Sequence, residues 1–188
     1  MTRVPDAVLR ARESAELMVS AADVEFAVNQ TAVRIGACLA DENPLVVCVL
    51  QGGLNYTAEL VRRVHFPLEI CYVHVSRYRD RTKGGELEWI AKPRMPLSDR
   101  SVLLVDDIFD EGVTLSELAV WANEQGAHPV RTSVLVEKDV ERAVSLTVDF
   151  PVLRCPDRYL FGCGMDYRGY WRNLPAIYAL PVEMEDSA

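Results

Sequence analysis

Residues 102–114 read Val102-Leu-Leu-Val-Asp-Asp-Ile-Phe-Asp-Glu-Gly-Val-Thr114, and this stretch decides the fold class. Its first four residues are apolar, as in a buried β-strand, and two acids follow them. A short loop with a glycine and a threonine comes next, and the pattern over Val113–Gln125 predicts a helix. Such a loop combines backbone N–H groups with the positive end of the helix dipole. It therefore predicts a binding site for a phosphate monoester.

Strands and helices alternate on both sides of this stretch. Before it, apolar runs predict strands over Leu45–Leu50 and Leu68–Val75, with a helix over 54–64 between them. After it, Gly126 is expected to stop the helix, and Val130–Val136 is predicted as the next strand. Alternation at this spacing predicts right-handed β-α-β units. The expected fold class is α/β, with a mostly parallel central sheet flanked by helices.

The two ends of the chain carry weaker signals. Ser20-Ala-Ala-Asp23 is a capping-box-like start for a helix. The apolar residues of that helix recur every three to four positions: Val24, Val28, Ala32, Ile35 and Leu39. After Phe150 the chain is irregular and aromatic, and it ends in the apolar run Ala176–Leu180. We expect one domain over residues 1–188, with segment 151–188 attached over one end of the sheet.

Composition excludes several classes of protein. The chain has 188 residues, of which 49% are hydrophobic and 26% charged, as in an ordinary globular protein. Its net charge of −8 argues against nucleic acid as a partner, because binding a phosphate backbone needs a clustered basic face. The charged N-terminus predicts no signal peptide, and no apolar run is long enough for a membrane span. Five cysteines without a C-x-x-C spacing predict a reduced, cytoplasmic protein without a zinc site.

The adjacent acids Asp106 and Asp107 leave two interpretations open. Acids beside a bound phosphate are repulsive unless they serve ribose hydroxyls, a magnesium ion or a proton transfer. Alternatively, both are solvated acids at a strand end and Thr114 is a simple helix cap. Strand ends in α/β sheets are loops as well as preferred binding sites, so the acids alone do not decide between these.

As a whole, the stretch over 102–114 resembles the signature of the type I phosphoribosyltransferase family. That signature is an apolar strand, two acids and a glycine-containing loop that holds phosphoribosyl pyrophosphate. The resemblance is imperfect at two positions. Glu111 stands where the family usually has a small hydroxylic residue, and Val113 stands where a basic residue is common.

Three further segments resemble the hypoxanthine-guanine branch of this family, so that the likeness covers roughly residues 45–180. Leu50-Gln-Gly-Gly53 is similar to its pyrophosphate loop, in which the first peptide bond can be cis. Lys138 is similar to the lysine that donates to the exocyclic oxygen of a 6-oxopurine. Segment 156–174, from Pro156 to Leu174, is similar to the base-binding and magnesium segment. Each has a plainer alternative: a tight turn, a solvated surface lysine, and aromatic core packing at Phe161 and Trp171.

The resemblance implies displacement of pyrophosphate from phosphoribosyl pyrophosphate by a ring nitrogen of a purine base. Asp110 is then the general acid/base, and Asp106 and Asp107 hold the ribose diol. Arg172 pairs with the pyrophosphate, and Mg²⁺ is the cofactor, with Asp166 as its ligand and Asp106 and Asp107 as further candidates. The full set implied to bind phosphoribosyl pyrophosphate is Gln51, Gly52, Gly53, Asp106, Asp107, Asp110, Glu111, Gly112, Val113, Thr114 and Arg172.

For the base, the resemblance implies Lys138 at the 6-oxygen, Tyr159 stacked on the purine face, and the main chain near Leu160 and Asp166 at the other edge. Residues 76–97 form a charged, glycine-containing excursion, with a short strand predicted over 87–90. The resemblance implies a lid there that includes Arg77 and Tyr78, whereas plain disorder is the alternative.

Two other functions remain open beside purine salvage from hypoxanthine or guanine. One is a xanthine-preferring relative, because the 2-position of the base is expected to be read by backbone. The other is a non-catalytic regulator that kept the fold, since fold alone does not determine function. The family resemblance also implies a homodimer or homotetramer, and the composition implies no nucleic-acid or membrane partner.

Overall fold

The computed structural model describes residues 3–77 and 87–185. Within these ranges the chain forms five helices and nine strands. The helices are α1 Asp6–Ser14, α2 Ala21–Leu39, α3 Gly53–Val61, α4 Val113–Glu124 and α5 Val182–Glu185. The strands are β1 Glu16–Val19, β2 Leu45–Leu50, β3 Glu69–Arg77, β4 Leu87–Ala91, β5 Val102–Phe109, β6 Val130–Lys138, β7 Phe150–Cys155, β8 Leu160–Phe161 and β9 Ile177–Ala179.

Six strands form the central sheet, in the order β4-β3-β2-β5-β6-β7. Strands β3, β2, β5, β6 and β7 run parallel, and β4 pairs antiparallel with β3 at one edge. The predicted mostly parallel sheet is confirmed. Strand β7 was not predicted, because its burial follows no two-residue period and it contains Pro151. A proline is tolerated in an edge strand, and β7 is the edge strand beyond β6.

Helices cover both faces of this sheet. Helices α2 and α3 pack on one face, where Val28, Ile35 and Leu60 join a cluster with Leu103. Helix α4 packs on the other face through buried residues that include Leu118. Of the described helices, none is long and apolar enough to cross a membrane.

The start of α2 follows the predicted capping box. The Asp23 N–H donates to the Ser20 Oγ at 3.2 Å, and the Ser20 hydroxyl donates to the Asp23 carboxylate at 2.6 Å. The Ser20 half of the capping box is therefore formed, while Asp23 accepts from the Ser20 hydroxyl in place of the Ser20 backbone N–H. Gly126 ends α4 with φ +83°, as expected for the left-handed residue after a helix.

The two ends of the described chain meet in a second, three-stranded sheet of order β1-β9-β8. Strand β1 comes from the N-terminal region, and β8 and β9 come from the C-terminal segment. The resulting hood has its own core, to which Val8 and Phe161 contribute. The Trp171 indole N–H donates to the Val8 carbonyl oxygen at 2.8 Å, so Phe161 and Trp171 have the packing role that the plainer interpretation predicted.

Two central strands extend further than the sequence predicts. Strand β5 continues through Asp106 and Asp107 to Phe109, and β6 continues to Lys138 instead of ending before it. Pairing between these strands persists to Phe109 and Glu137, which keeps both extensions regular. Helix α3, in contrast, is shorter than predicted and ends at Val61.

The predicted lid region, residues 76–97, begins in β3 and includes β4. Strand β3 runs to Arg77, and β4, predicted over 87–90, returns antiparallel to it. Tyr78 lies outside the described residues. Trp89 of β4 packs on Trp121 of α4, with the ring centroids 4.7 Å apart. Because Leu97 is buried in the main core, the C-terminal end of the predicted 76–97 loop is part of that core.

Candidate active site

A cleft lies at the carboxyl edge of the sheet, beside the β2–β5 pair, where the order of strands reverses. In open α/β sheets this is the preferred position for a ligand site. The cleft has a volume of about 980 Å³. The loops after β2, β5 and β6 and the hood segment line it with these polar and glycine residues: Gly52, Asp106, Asp107, Asp110, Glu111, Gly112, Thr114, Glu141, Arg142, Asp157 and Arg172.

The loop between β5 and α4 has the backbone of an anion site. Gly112 is the N-cap of α4 and has φ +79°, a left-handed conformation that favours glycine. A Cβ at this position would lie 2.6 Å from the Phe109 ring, which is a second reason for glycine. Because glycine brings no capping side chain, the first N–H groups of α4 are available to a ligand. Thr114 lies in the same first turn and lines the cleft.

Asp106 and Asp107 lie on the floor of the cleft with 8% and 9% of their surface exposed. The Asp107 N–H donates to Asp106 Oδ1 at 2.9 Å. Burial raises the pKa of Asp106 well above its ordinary value, and the neighbouring Asp107 charge raises it further. Burial also raises the pKa of Asp107, although the Arg172 charge opposes this. The interpretation of these acids as solvated loop residues is therefore wrong.

The glycine pair after β2 brings two chain segments close together. A Cβ on Gly52 would overlap the Asp107 carboxylate, and a Cβ on Gly53 would lie 2.7 Å from the Val105 carbonyl oxygen. The Leu50–Gln51 peptide bond is cis. Gly52 lines the cleft, whereas Gln51 is exposed and Gly53 is buried below it.

Lys138 is buried at the end of β6, with 8% of its surface exposed. Its Nζ donates to Asp110 Oδ2 at 2.9 Å and to Asp157 Oδ1 at 3.2 Å. The alternative of a solvated surface lysine is thus wrong. Both carboxylate partners line the cleft, so the ammonium group lies directly behind its wall. Two carboxylates around one ammonium satisfy a buried charge that would otherwise be costly.

Asp166 and Arg172 form an ion pair in the hood. Arg172 Nη2 lies 2.5 Å from Asp166 Oδ1, and Arg172 Nη1 donates to the Gly164 carbonyl oxygen at 2.6 Å. The Gly169 N–H donates to Asp166 Oδ2 at 2.6 Å. The Asn55 amide donates to the Arg172 carbonyl oxygen, which connects α3 to this segment. Arg172 lines the cleft and Asp166 lies behind it.

The predicted magnesium ligands suit an ion with few protein contacts. In the parts of the chain that the structure describes, no group of three or more His, Cys, Asp or Glu side chains could hold a metal. Mg²⁺ usually keeps several waters and takes one or two carboxylates beside phosphate oxygens. Each Asp166 oxygen accepts one contact, from Arg172 or from Gly169, and each retains a further lone pair.

Tyr159 and Leu160 lie in the hood rather than in the cleft wall. The Tyr159 hydroxyl donates to the Asp166 carbonyl oxygen at 3.2 Å, so two of the predicted base-binding residues are joined. Leu160 is buried in β8, an edge strand of the hood sheet. Asp157 precedes Tyr159 by two residues and contacts Lys138, which brings the hood segment to the end of β6.

Two residues of the site were missed at the sequence level. Asp157 lies inside segment 156–174, but the local sequence around it does not predict an ion pair with Lys138. Arg142 lines the cleft from the irregular segment 139–149, where no motif singles it out. The role of each depends on contacts between segments far apart in the chain, which no local pattern encodes.

Comparison with known proteins gives a consistent result. Residues 20–168 match the phosphoribosyl transferase domain family. The hypoxanthine-guanine phosphoribosyltransferase of Crithidia fasciculata is 35% identical over 150 residues, covering 77% of this chain and 72% of that protein. The same-named protein of Streptococcus pneumoniae is 32% identical over 162 residues, covering 84% and 90%. The solved hypoxanthine phosphoribosyltransferase of Trypanosoma cruzi, in complex with the product IMP, superposes with a TM-score of 0.84 at 28% identity, covering 91% and 97%.

Proposed function

Since this chain belongs to the phosphoribosyl transferase family, we propose that it is a hypoxanthine-guanine phosphoribosyltransferase of purine salvage. It transfers the 5-phosphoribosyl group from phosphoribosyl pyrophosphate to hypoxanthine or guanine. The products are IMP or GMP and pyrophosphate. The curated relatives carry this name at 32–35% identity over most of the chain.

One observation carries the choice of base: Lys138 is buried behind the cleft wall and contacts Asp110 at 2.9 Å. A lysine ammonium has three donors and no acceptor. Two of them meet Asp110 and Asp157, and the third suits a carbonyl oxygen such as the 6-oxygen of hypoxanthine or guanine. Adenine offers an amino group at that position, which the ammonium cannot accept from. The arrangement favours 6-oxopurines.

The reaction needs a place for the phosphate, a proton acceptor or donor, and a means of stabilising the leaving group. The N–H groups of the Asp110–Thr114 loop hold the 5′-phosphate, aided by the dipole of α4. Asp106 and Asp107 hold the ribose hydroxyls at the cleft floor. Asp110, the first residue of this loop, contacts Lys138 and exchanges a proton with the imidazole nitrogen of the purine.

Pyrophosphate leaves beside Gly52 and Arg172. The planar guanidinium of Arg172 suits bidentate contact with phosphate oxygens. Asp166, with Asp106 and Asp107 as further candidates, would hold Mg²⁺. A bound magnesium ion would neutralise part of the pyrophosphate charge as the bond to the anomeric carbon breaks. The ion pair with Asp166 orients the Arg172 side chain toward the cleft before the substrate binds.

The hood supplies the rest of the base site in this proposal. Tyr159 stacks on the purine face, and the main chain near Leu160 and Asp166 reads the edge opposite Lys138. The loop containing Arg77 and Tyr78 closes over the reacting centre and keeps water from the ribosyl cation-like carbon.

A spectrophotometric panel tests the proposal with hypoxanthine, guanine, xanthine and adenine, each with phosphoribosyl pyrophosphate and Mg²⁺. Turnover of hypoxanthine and guanine with little use of adenine is expected. Faster use of xanthine would assign the xanthine-preferring alternative, and no turnover of any purine would favour a non-catalytic regulator. Excess chelator should abolish activity and added Mg²⁺ should restore it. Full activity in chelator would exclude the metal role.

We also propose a homo-oligomer, supported by exposed apolar side chains on one face of β3 and β4. Ile70, Tyr72 and Ile90 are 51–57% exposed. They lie on the face opposite to Val73 and Trp89, as the alternation along each strand requires. Light scattering coupled to gel filtration should show a dimer or tetramer, and Tyr72→Glu should shift it toward the monomer. A wild-type monomer would contradict this part of the proposal.

A further inference from the structure

Arg142 is hydrogen-bonded to main-chain carbonyl oxygens at the start of the phosphate loop. Its Nε donates to the Asp110 carbonyl oxygen at 2.6 Å, and its Nη2 donates to the Phe109 carbonyl oxygen at 2.9 Å. Nη2 also donates to the Lys138 carbonyl oxygen. We infer that Arg142 is a positioning residue, which orients the loop N–H groups toward the 5′-phosphate and holds the loop at a set distance from Lys138.

The geometry of the peptide bond explains how the loop is oriented. In a planar trans peptide, the carbonyl of one residue and the N–H of the next point in opposite directions. Arg142 holds the carbonyl oxygens of Phe109 and Asp110 on its own side. The N–H groups of Asp110 and Glu111 belong to the same two peptide units, so they point away from Arg142. An arginine fork suits this task because several of its donors lie in one plane.

The Phe109 ring packs against the same guanidinium group. The Arg142 guanidinium lies over the ring, 4.5 Å from its centroid. On this same ring, a Cβ at Gly112 would come within 2.6 Å, so the glycine backbone packs closely against it. Phe109 is 1% exposed. A change at Arg142 therefore acts on the loop through both the two carbonyl oxygens and the ring.

The third carbonyl connects the loop to the base-reading side of the cleft. Lys138 contributes its carbonyl oxygen to Arg142 and its ammonium group to Asp110. Arg142, Asp110 and Lys138 thus form one closed network between β5 and β6. The 5′-phosphate at the loop and the purine base at Lys138 belong to the proposed function. The positioning role of Arg142 therefore rests on that proposal.

IMP and inosine differ only in the 5′-phosphate. Comparing their affinities therefore isolates the positioning role of Arg142. We expect the wild-type enzyme to bind IMP much more tightly than inosine in isothermal titration calorimetry. In Arg142→Met, the ratio of IMP to inosine affinity should fall at least tenfold, as expected for losing several charge-assisted hydrogen bonds. Pyrophosphate with Mg²⁺ should bind as in wild type, because it occupies the opposite end of the cleft. A general loss of structure would instead weaken all three ligands together.

Arg154→Met is the matched control, because Arg154 lies on neighbouring β7, is 70% exposed at its side chain and contacts Glu137. Arg154→Met should leave the ratio of IMP to inosine affinity unchanged. Arg142→Lys keeps the positive charge and loses the planar fork, and it answers the question even where Arg142→Met does not fold. The positioning role predicts a reduced ratio in Arg142→Lys as well.

The possible failures are distinguishable. A wild-type ratio in either Arg142 variant would overturn the positioning role and leave the proposed function intact. Normal binding in Arg142→Lys with a loss in Arg142→Met would assign a simple charge effect instead of positioning. A wild-type enzyme that binds inosine as tightly as IMP would overturn the proposed function and this inference together.

Discussion

The loop after β5 lines the cleft and the end of β6 lies behind the cleft wall, and the first offers mainly backbone groups whereas the second offers the side chain of Lys138. In the loop, Gly112 has a left-handed backbone, and Glu111 and Val113 replace residue types that the family prefers. At the end of β6, Lys138 is enclosed by Asp110 and Asp157. Recognition by the backbone tolerates a change of side chain as long as the path of the chain is kept. Recognition by a side chain does not tolerate such a change. Substitutions in the two regions should therefore differ in their effect on binding and catalysis.

Asp110 belongs to both regions, and the largest effect is expected there. Asp110→Asn should lower kcat by about a hundredfold or more, the range for losing a general acid/base. The KM for phosphoribosyl pyrophosphate should change little, because the N–H groups of the loop remain. Steady-state kinetics measures both, with Asp139→Asn as a control on an acid next to Lys138 in the chain. A near-normal kcat would remove Asp110 from the chemistry.

Lys138 should show the second-largest effect and tests the side-chain end of the cleft. Lys138→Ala should lower kcat/KM for hypoxanthine and guanine by about ten- to a hundredfold, because a charge-assisted hydrogen bond is lost. The difference in kcat/KM between these bases and adenine should narrow without necessarily creating adenine activity, because the shape of the pocket remains. Arg154→Ala is the control, since the Arg154 side chain is 70% exposed, contacts Glu137 and lies outside the cleft. An unchanged base preference would contradict the role of Lys138.

Substitution of Gly112 tests recognition by the backbone of the phosphate loop. The matched control is Gly126, at the other end of α4. Gly112→Ala and Gly126→Ala both place alanine in a left-handed backbone, at a cost of about 1–2 kcal/mol in stability. At Gly126 the new Cβ would lie 3.2 Å from the Ser98 hydroxyl oxygen and 3.3 Å from its Cα, whereas at Gly112 it would lie only 2.6 Å from the Phe109 ring.

Only Gly112→Ala should therefore weaken the binding of IMP. The affinity should fall by about tenfold, which corresponds to one lost hydrogen bond to a charged group. Thermal unfolding measures the stability of both variants, and calorimetry measures their affinity for IMP. Equal loss of affinity in both variants would show that α4 responds as a whole and that the loop has no separate role.

Glu111 should show the smallest effect. Its carboxylate lines the cleft beside the phosphate loop, so it opposes an anionic ligand. Glu111→Ser should lower the KM for phosphoribosyl pyrophosphate by about two- to fivefold, the range for one exposed charge. The gain should shrink at high ionic strength, since salt screens exposed charges. A large loss of activity would contradict backbone recognition, because it would give the Glu111 side chain a role of its own.

Local pattern was sufficient for the central elements of the fold. Strand β2 has the predicted bounds, and the Ser20 cap starts α2 as expected. The hood strands were beyond the reach of local pattern, because β8 has two residues and β9 has three. Strand β1 is paired through Glu16 with Ala179, at the opposite end of the described chain. Strands this short have no measurable period, and distant pairing partners leave no local signal.

The sequence by itself determined the alternation of the central strands and helices, and the two acids Asp106 and Asp107 before a glycine-containing loop. These follow from hydrophobic period and turn chemistry, which act over a few neighbouring residues. The roles of Asp110 and Lys138 were implied by the family resemblance. Only the tertiary structure decided that the two acids are buried, that Lys138 is enclosed by two carboxylates, and that Arg142 donates to the Asp110 carbonyl oxygen. Burial and ion pairing depend on how distant segments pack, and that packing exists only in the folded chain.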